Sequence, residues 1–175
     1  VNIEVWKKIP RHPFYEVSDQ GRVRSLDRVI RCQHQSGGFY ARAMKGKVLS
    51  PIEGGGGYFK VLLGRGERAY IHCLVALVFI GPKPKGAIVD HENRRHTDNK
   101  KSNIRYITRA GNMYNSGIAK GFYQEKDGRW RAHIMKNNRF IGLGRFNNPK
   151  DAARAREVAR VAYLAKEVAC VRTLH

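Results

Sequence analysis

Apolar and charged residues alternate along the first part of the chain, a period of two that predicts short strands rather than helices. Trp6 and Ile9 mark a first strand within residues 1–9, and Tyr15-Glu16-Val17-Ser18 a second that runs into the turn signal Asp19-Gln20-Gly21. Val23 and Ser25, interleaved with Arg22 and Arg24, continue the pattern on the far side of that turn. Over residues 31–57 the pattern fades. His34-Gln35-Ser36-Gly37-Gly38 and the run Gly54–Gly57 predict poor order there. A hairpin follows, with residues 58–63 and 69–71 as strands across Gly64-Arg65-Gly66-Glu67. Its return strand leads directly into the apolar run 73–80, which reads as a buried helix stopped by Gly81-Pro82.

The middle of the chain places a strand at Ala87-Ile88-Val89 that ends on Asp90-His91. A polar loop, 92–103, crosses to a second strand at 104–107, and Thr108 is positioned to cap a helix that carries Asn112 and Tyr114. Beyond Lys120-Gly121-Phe122-Tyr123, a strand over 128–135 puts Trp130, Ala132 and Ile134 on one face and Arg129, Arg131 and His133 on the other. A further strand covers 139–146. Asn148-Pro149-Lys150-Asp151 then opens a helix with a cap, a first-turn proline and an acid at the positive helix end. Ala152, Ala155, Ala159 and Ala162, flanked by Val158 and Val161, form a small-residue stripe suited to packing on a sheet. The expected fold class is α+β.

Charge changes the picture. The 175 residues include 34 Lys+Arg against 14 Asp+Glu, a net charge of +20. A surface of that kind repels itself and points to a polyanionic partner, nucleic acid first and an anionic membrane second. The net charge is +9 over residues 1–86, +3 over 87–115 and +8 over 116–175, so the excess flanks a less charged centre rather than forming a tail. No apolar run approaches the roughly 20 residues that span a bilayer. Cys32, Cys73 and Cys170 are scattered without a CxxC pair, which argues against a structural zinc site and for reduced thiols in an intracellular protein.

Phosphodiester cleavage needs an activated water and a cation to neutralise charge on the phosphate and the leaving oxygen. Asp90 and the amide oxygen of Asn112 are oxygen donors suited to Mg²⁺ or Mn²⁺. His91 adjoins Asp90 on the opposite side of the strand and has the right chemistry for a general base at neutral pH. Each residue alone has a commoner structural use, as a strand terminator, a helix cap or a solvated loop group.

Their order is more specific. Val89-Asp90-His91, then Asp98-Asn99, then Asn103-Ile104-Arg105-Tyr106-Ile107-Thr108, then Asn112, resembles the HNH nuclease motif of phage and intron-encoded homing endonucleases. The resemblance implies a ββα-metal core without structural zinc. It makes Asp90 and Asn112 ligands of one divalent metal ion, Mg²⁺ or Mn²⁺, His91 the base and Asn103 a brace for the loop. Glu92 and Tyr106 depart from the usual pattern, and neither removes a catalytic group. His72 matches a further family position, where it packs or hydrogen-bonds against the nuclease core; His96 reads as a solvated loop residue.

The flanks carry resemblances of their own. Trp6, Ile9, Tyr15-Glu16-Val17-Ser18 and Gly21-Arg22-Val23-Arg24-Ser25 look like the small N-terminal modular domain that precedes many such nucleases. Gly121-Phe122-Tyr123, Trp130–Ile134, Gly142–Phe146 and Ala152–Ala155 resemble the Apetala-type DNA-binding domain, a three-stranded sheet on one helix. The implied organisation is a β-rich modular region over 1–57, the nuclease core with its preceding hairpin and helix over 58–116, and the DNA-binding domain over 117–175. Candidate DNA contacts are Arg22, Arg24 and Arg28 in the first part, and Arg129, Arg131, His133, Lys136 and Arg139 in the last.

The expectation is therefore a sequence-recognising DNA endonuclease, monomeric, acting on double-stranded DNA in the cytoplasm of a bacterial or phage-infected cell, with no membrane role. A DNA-binding regulator with a vestigial nuclease centre and an RNA-acting protein are the alternatives. The presence of both ligands and the base weighs against the first, and the absence of aromatic stacking motifs against the second.

Overall fold

The computed structural model describes residues 3–115, 121–136 and 139–172; the first two residues of the expected first strand, Lys120 and the side chain of Cys170 lie outside the described residues. The chain divides into two units: Val1–Lys83 with His91–Arg105, and Pro84–Asp90 with Tyr106–His175.

In the first unit, β1 (Trp6–Ile9), β2 (His12–Ser18) and β3 (Val23–Ser25) form an antiparallel sheet in sequence order. A second sheet has the order β6 (Ile52–Glu53), β7 (Phe59–Leu62), β8 (Arg68–Tyr70). Helix α1 (Ile71–Phe79) lies against β1, β2, β7 and β8. Ile9, Val17, Val23, Val61, Leu63, Ile71 and Val75 are all buried. Full burial of such a side chain stabilises the fold by about 1.5–3 kcal/mol before entropy is counted. The helix starts two residues earlier than the apolar run announces, so Ile71 and His72 lie in its first turn and are buried.

Residues 31–57 are more structured than their composition suggests. β4 (Arg28–Gln33) and β5 (Phe39–Met44) pair as an antiparallel ribbon with Arg28 opposite Met44 and Gln33 opposite Phe39. Gly37 and Gly38, at φ +91° and +82°, turn the chain between them. The glycines that suggested disorder are the residues that permit the turn.

Strand β9 (Ile88–His91) and β10 (Ile104–Ile107) form a two-stranded sheet, with α2 (Arg109–Asn115) following β10. Thr108 caps α2, its Oγ1 accepting from the Gly111 N–H at 3.0 Å. In the second unit, β11 (Phe122–Gln124), β12 (Trp130–Lys136) and β13 (Arg139–Phe146) form an antiparallel sheet packed on α3 (Pro149–Arg172), which also packs against α2. Asn148 caps α3: its Oδ1 accepts from the Asp151 N–H at 2.9 Å, while its Nδ2 donates to the Asp151 carboxylate at 2.7 Å.

One cluster joins these elements, with Ile107 and Tyr114 packed together with Ile134 and Leu164. Gly111 is where α2 and α3 approach: a Cβ there would lie 2.4 Å from the Ile107 side chain and 2.9 Å from Glu167 Cβ. Thr108 Oγ1 donates to Glu167 across the same approach. The packed face of α3 differs from the expected stripe. Ala152 and Leu164 are buried and Ala155 and Ala159 half-buried, whereas Val158, Val161 and Ala162 are exposed.

Candidate active site and nucleic-acid interface

His91 is the last residue of β9 and is 3% exposed. Its Nε2 lies 3.1 Å from the Oδ1 of Asn99, itself buried. Around it stand His72, with ring centroids 5.2 Å apart, Tyr58 at 5.8 Å and His96 at 5.7 Å. His96 Nδ1 meets the Gly56 carbonyl at 2.8 Å, so that nitrogen carries the proton, and the Tyr58 ring stacks on the imidazole at 4.2 Å. Within the Gly54–Gly57 run, Gly56 thereby supplies the backbone carbonyl that meets His96. Burial, followed by the nearby His91 and His96, lowers the His72 pKa to about 4, so His72 is neutral at pH 7.

The polar loop after β9 is pinned at both ends by Asn103. Its Oδ1 accepts from the Asn93 N–H at 2.9 Å and its Nδ2 donates to the Asp98 carbonyl at 2.7 Å. Its own carbonyl accepts from the Glu92 N–H at 2.9 Å. The carboxylate of Glu92 lies 3.5 Å from Arg105. A side chain with one donor group and one acceptor, each used against loop backbone, closes the loop without any apolar core of its own.

Asp90 is 6% exposed, and both its oxygens accept from the Nδ2 of Asn115 at 3.0 Å. The Oδ1 of Asn115 accepts in turn from Arg160 of α3 at 3.4 Å. Asn112, the expected ligand, is half-buried on α2, three residues before Asn115, and its backbone N–H donates to Thr108 at 3.0 Å. Sequence reasoning missed Asn115. The available signal was a second asparagine one helical turn from the first, on the same face. Among the described residues no group of three or more His, Cys, Asp or Glu side chains could hold a metal ion. Asp90 and Asn112 offer a carboxylate and a carboxamide, a different, all-oxygen set.

The candidate DNA contacts are tethered to acids and rings. Arg22 is paired with Glu4, which holds that carboxyl below its usual pKa, and Arg24 donates to Glu16 at 2.8 Å with its guanidinium 4.3 Å from the Trp6 ring centre. Arg28 lies over Tyr15 at 5.4 Å. On the other unit, Arg129 is paired with Asp127 at 2.8 Å, and Arg131 and Arg145 share Glu125. His133 sits in a depression of about 320 Å³ with Tyr123, Arg131, Phe140 and Gly142, its Nδ1 buried without a hydrogen bond. Strand alternation separates Lys136 from this group: it shares the face of Ala132 and Ile134, pairs with Arg139 and extends over the Tyr163 ring of α3 at 5.2 Å. Arg145, opposite Arg131 in the register, belongs to the exposed face and was not among the expected contacts.

Comparison with known proteins gives two family-model matches: the NUMOD4 motif over residues 4–63 and the HNH endonuclease family over residues 69–114. Among curated relatives, an uncharacterized HNH endonuclease, L247, of Acanthamoeba polyphaga mimivirus is 29% identical over 116 residues, 63% of this chain and 25% of that protein. The DNA endonuclease I-HmuI of Bacillus phage SP01 is 28% identical over 114 residues, 63% of this chain and 56% of that protein. The chain thus spans a quarter and about half of the lengths of these relatives. A solved structure, described as DNA binding and cleavage by the HNH homing endonuclease I-HmuI, aligns over 86% of this chain and 82% of that one, at 24% identity and a TM-score of 0.49. Among the described residues no helix is long and apolar enough to cross a membrane.

Proposed function

We propose that this protein is a DNA endonuclease of the homing type, hydrolysing phosphodiester bonds with one divalent ion, Mg²⁺ or Mn²⁺. The observation that carries the reading is the consecutive pair Asp90-His91 at the end of β9, both buried and each held by an asparagine amide. Burying a carboxylate and an imidazole is costly unless each is hydrogen-bonded, and side chains held in this way cluster at functional sites. The match of residues 69–114 to the HNH endonuclease family supports the same reading.

The roles divide by chemistry. Asp90 and the amide oxygen of Asn112 hold the ion; both are hard oxygen donors of the kind that Mg²⁺ and Mn²⁺ take. The ion, when bound, neutralises charge on the phosphate and the departing oxygen. Asn115 keeps the Asp90 carboxylate in one orientation. His91 accepts a proton from the attacking water, and Asn103 holds the loop that follows it.

Double-stranded DNA is the substrate and the basic flanks hold it. Arg22, Arg24 and Arg28 act in the N-terminal part, and Arg129, Arg131, His133, Lys136 and Arg139 in a C-terminal part of Apetala type. Arg22, Arg24, Arg129 and Arg131 stand in ion pairs with Glu4, Glu16, Asp127 and Glu125, and phosphate takes the place of these acids when DNA binds. One centre attacks one strand, so as a monomer the protein nicks, within the cytoplasm of its host cell. Supercoiled plasmid with Mg²⁺ tests the reading: the native protein yields nicked circles and Asp90→Ala does not. Equal nicking by both, or by neither, refutes it.

A further inference from the structure

A general base must present its lone pair on the correct nitrogen, and in a neutral imidazole the partner of the other nitrogen decides which that is. His91 Nε2 meets Asn99 Oδ1 at 3.1 Å. The orientation of that amide is settled by its other end, since Asn99 Nδ2 lies 3.3 Å from the Thr97 carbonyl, which can only accept. The amide nitrogen therefore faces Thr97 and the oxygen faces the imidazole. Nε2 is then the donor, and the lone pair of the neutral ring lies on Nδ1.

Asn99 is held from outside its own loop. The turn after β2 places Gly21 at φ +78°, and a Cβ there would fall 2.7–2.8 Å from the carbonyl and Cβ of Asn99. No L-residue fits that approach without moving the loop. Two residues further on, the Lys101 N–H donates to the Asp19 carbonyl at 2.8 Å. Asp19 is itself tied to the segment leading into β1 through Val5, whose N–H donates to its carboxylate at 3.1 Å. These residues all belong to one unit of the chain.

We infer that Asn99 is a positioning residue that fixes His91 in the Nε2–H tautomer, and that the Asp19–Gly21 turn of the N-terminal sheet holds Asn99 in place. The N-terminal sheet is then part of the catalytic scaffold as well as a grip on DNA. The inference rests on the reading of His91 as the base, and the tautomer can be measured without any cleavage.

Long-range ¹H–¹⁵N correlation spectra of the full-length labelled protein, at about pH 8 where an ordinary imidazole is neutral, report which ring nitrogen carries hydrogen. The His91 signals are identified by their loss in His91→Gln. The native protein shows His91 with hydrogen on Nε2; hydrogen on Nδ1 overturns the proposal with no variant needed. Asn99→Leu removes the acceptor at similar volume, and His91 becomes a tautomer mixture while kcat falls about 10- to 100-fold at unchanged KM. Asn99→Asp restores an acceptor and recovers the single tautomer. Gly21→Ala moves the tautomer ratio in the direction of Asn99→Leu. An unchanged tautomer and unchanged kcat in Asn99→Leu overturn the positioning role while leaving the nuclease reading intact. A native protein that holds the Nε2–H tautomer yet never nicks DNA overturns the nuclease reading instead, and with it the catalytic meaning of the pair.

Discussion

A single amide, that of Asn115, donates to both carboxylate oxygens of Asp90 at 3.0 Å. An amide held across the two oxygens fixes the plane of the carboxylate, and the Arg160 contact at 3.4 Å restrains the amide in turn. The orientation of the proposed metal ligand Asp90 would then be set by a side chain of α2. Replacing Asn115 with Ala is expected to lower the cleavage rate about 10- to 100-fold. The Mg²⁺ concentration for half-maximal rate should rise, with DNA affinity unchanged in a binding assay with chelator. A rate equal to native at low Mg²⁺ would show that Asp90 needs no such support.

Removal of the reactive groups separates binding from chemistry. His91→Ala should lose about 10²- to 10⁴-fold in rate, the usual contribution of a positioned proton acceptor. Asp90→Ala or a chelator should abolish cutting, while gel-shift binding persists in all three cases. Cleavage by His91→Ala at the native rate would remove His91 from the mechanism.

The His72 environment predicts acid sensitivity. Its folded-state pKa of about 4 lies below the ordinary value of about 6.5 for an unfolded chain. Between those values the unfolded chain binds a proton that the folded one excludes, so stability is full above about pH 6.5 and is lost as pH falls toward 4. His72→Gln should flatten that part of the profile, read as urea midpoints at about pH 7 and pH 5. Parallel profiles for the two proteins would place the acid sensitivity elsewhere.

The loop brace carries its own cost. Asn103→Ala leaves the Asn93 N–H and the Asp98 carbonyl without their partner, at about 1–3 kcal/mol of stability. A lowered urea midpoint with faster amide exchange over residues 92–102 is the expected signature. A loss of stability without faster exchange in that loop would assign the effect to another region.

Charge should dominate affinity. If about eight phosphates are neutralised, log K should fall with log salt at a slope of roughly −7. Arg131→Ala should make the slope shallower by about one; an unaltered slope would place Arg131 off the DNA backbone.

Local physics left clear marks in this chain. The strand ending on Asp90-His91, the caps at Thr108 and Asn148 and the alternation over Trp130–Ile134 depend on neighbours a few residues away. They are read from residue types at fixed spacings. The β4–β5 ribbon was hidden because Gly37 and Gly38 have the composition of disorder and the geometry of a turn, and only cross-strand pairing distinguishes the two. Which of two asparagines one helical turn apart meets Asp90 depends on how α2 is rotated against its surroundings. That rotation is set by Ile107 and Tyr114 packing with Ile134 and Leu164, residues far apart in sequence. The same holds for Asn99, whose partner His91 is close in the chain but whose support at Gly21 is not. By itself the sequence determined the chemistry available, a carboxylate, an imidazole and several amides in a basic chain. Tertiary structure decided which amide orients which reactive group, because hydrogen bonds of about 3 Å require placement that residue spacing does not encode.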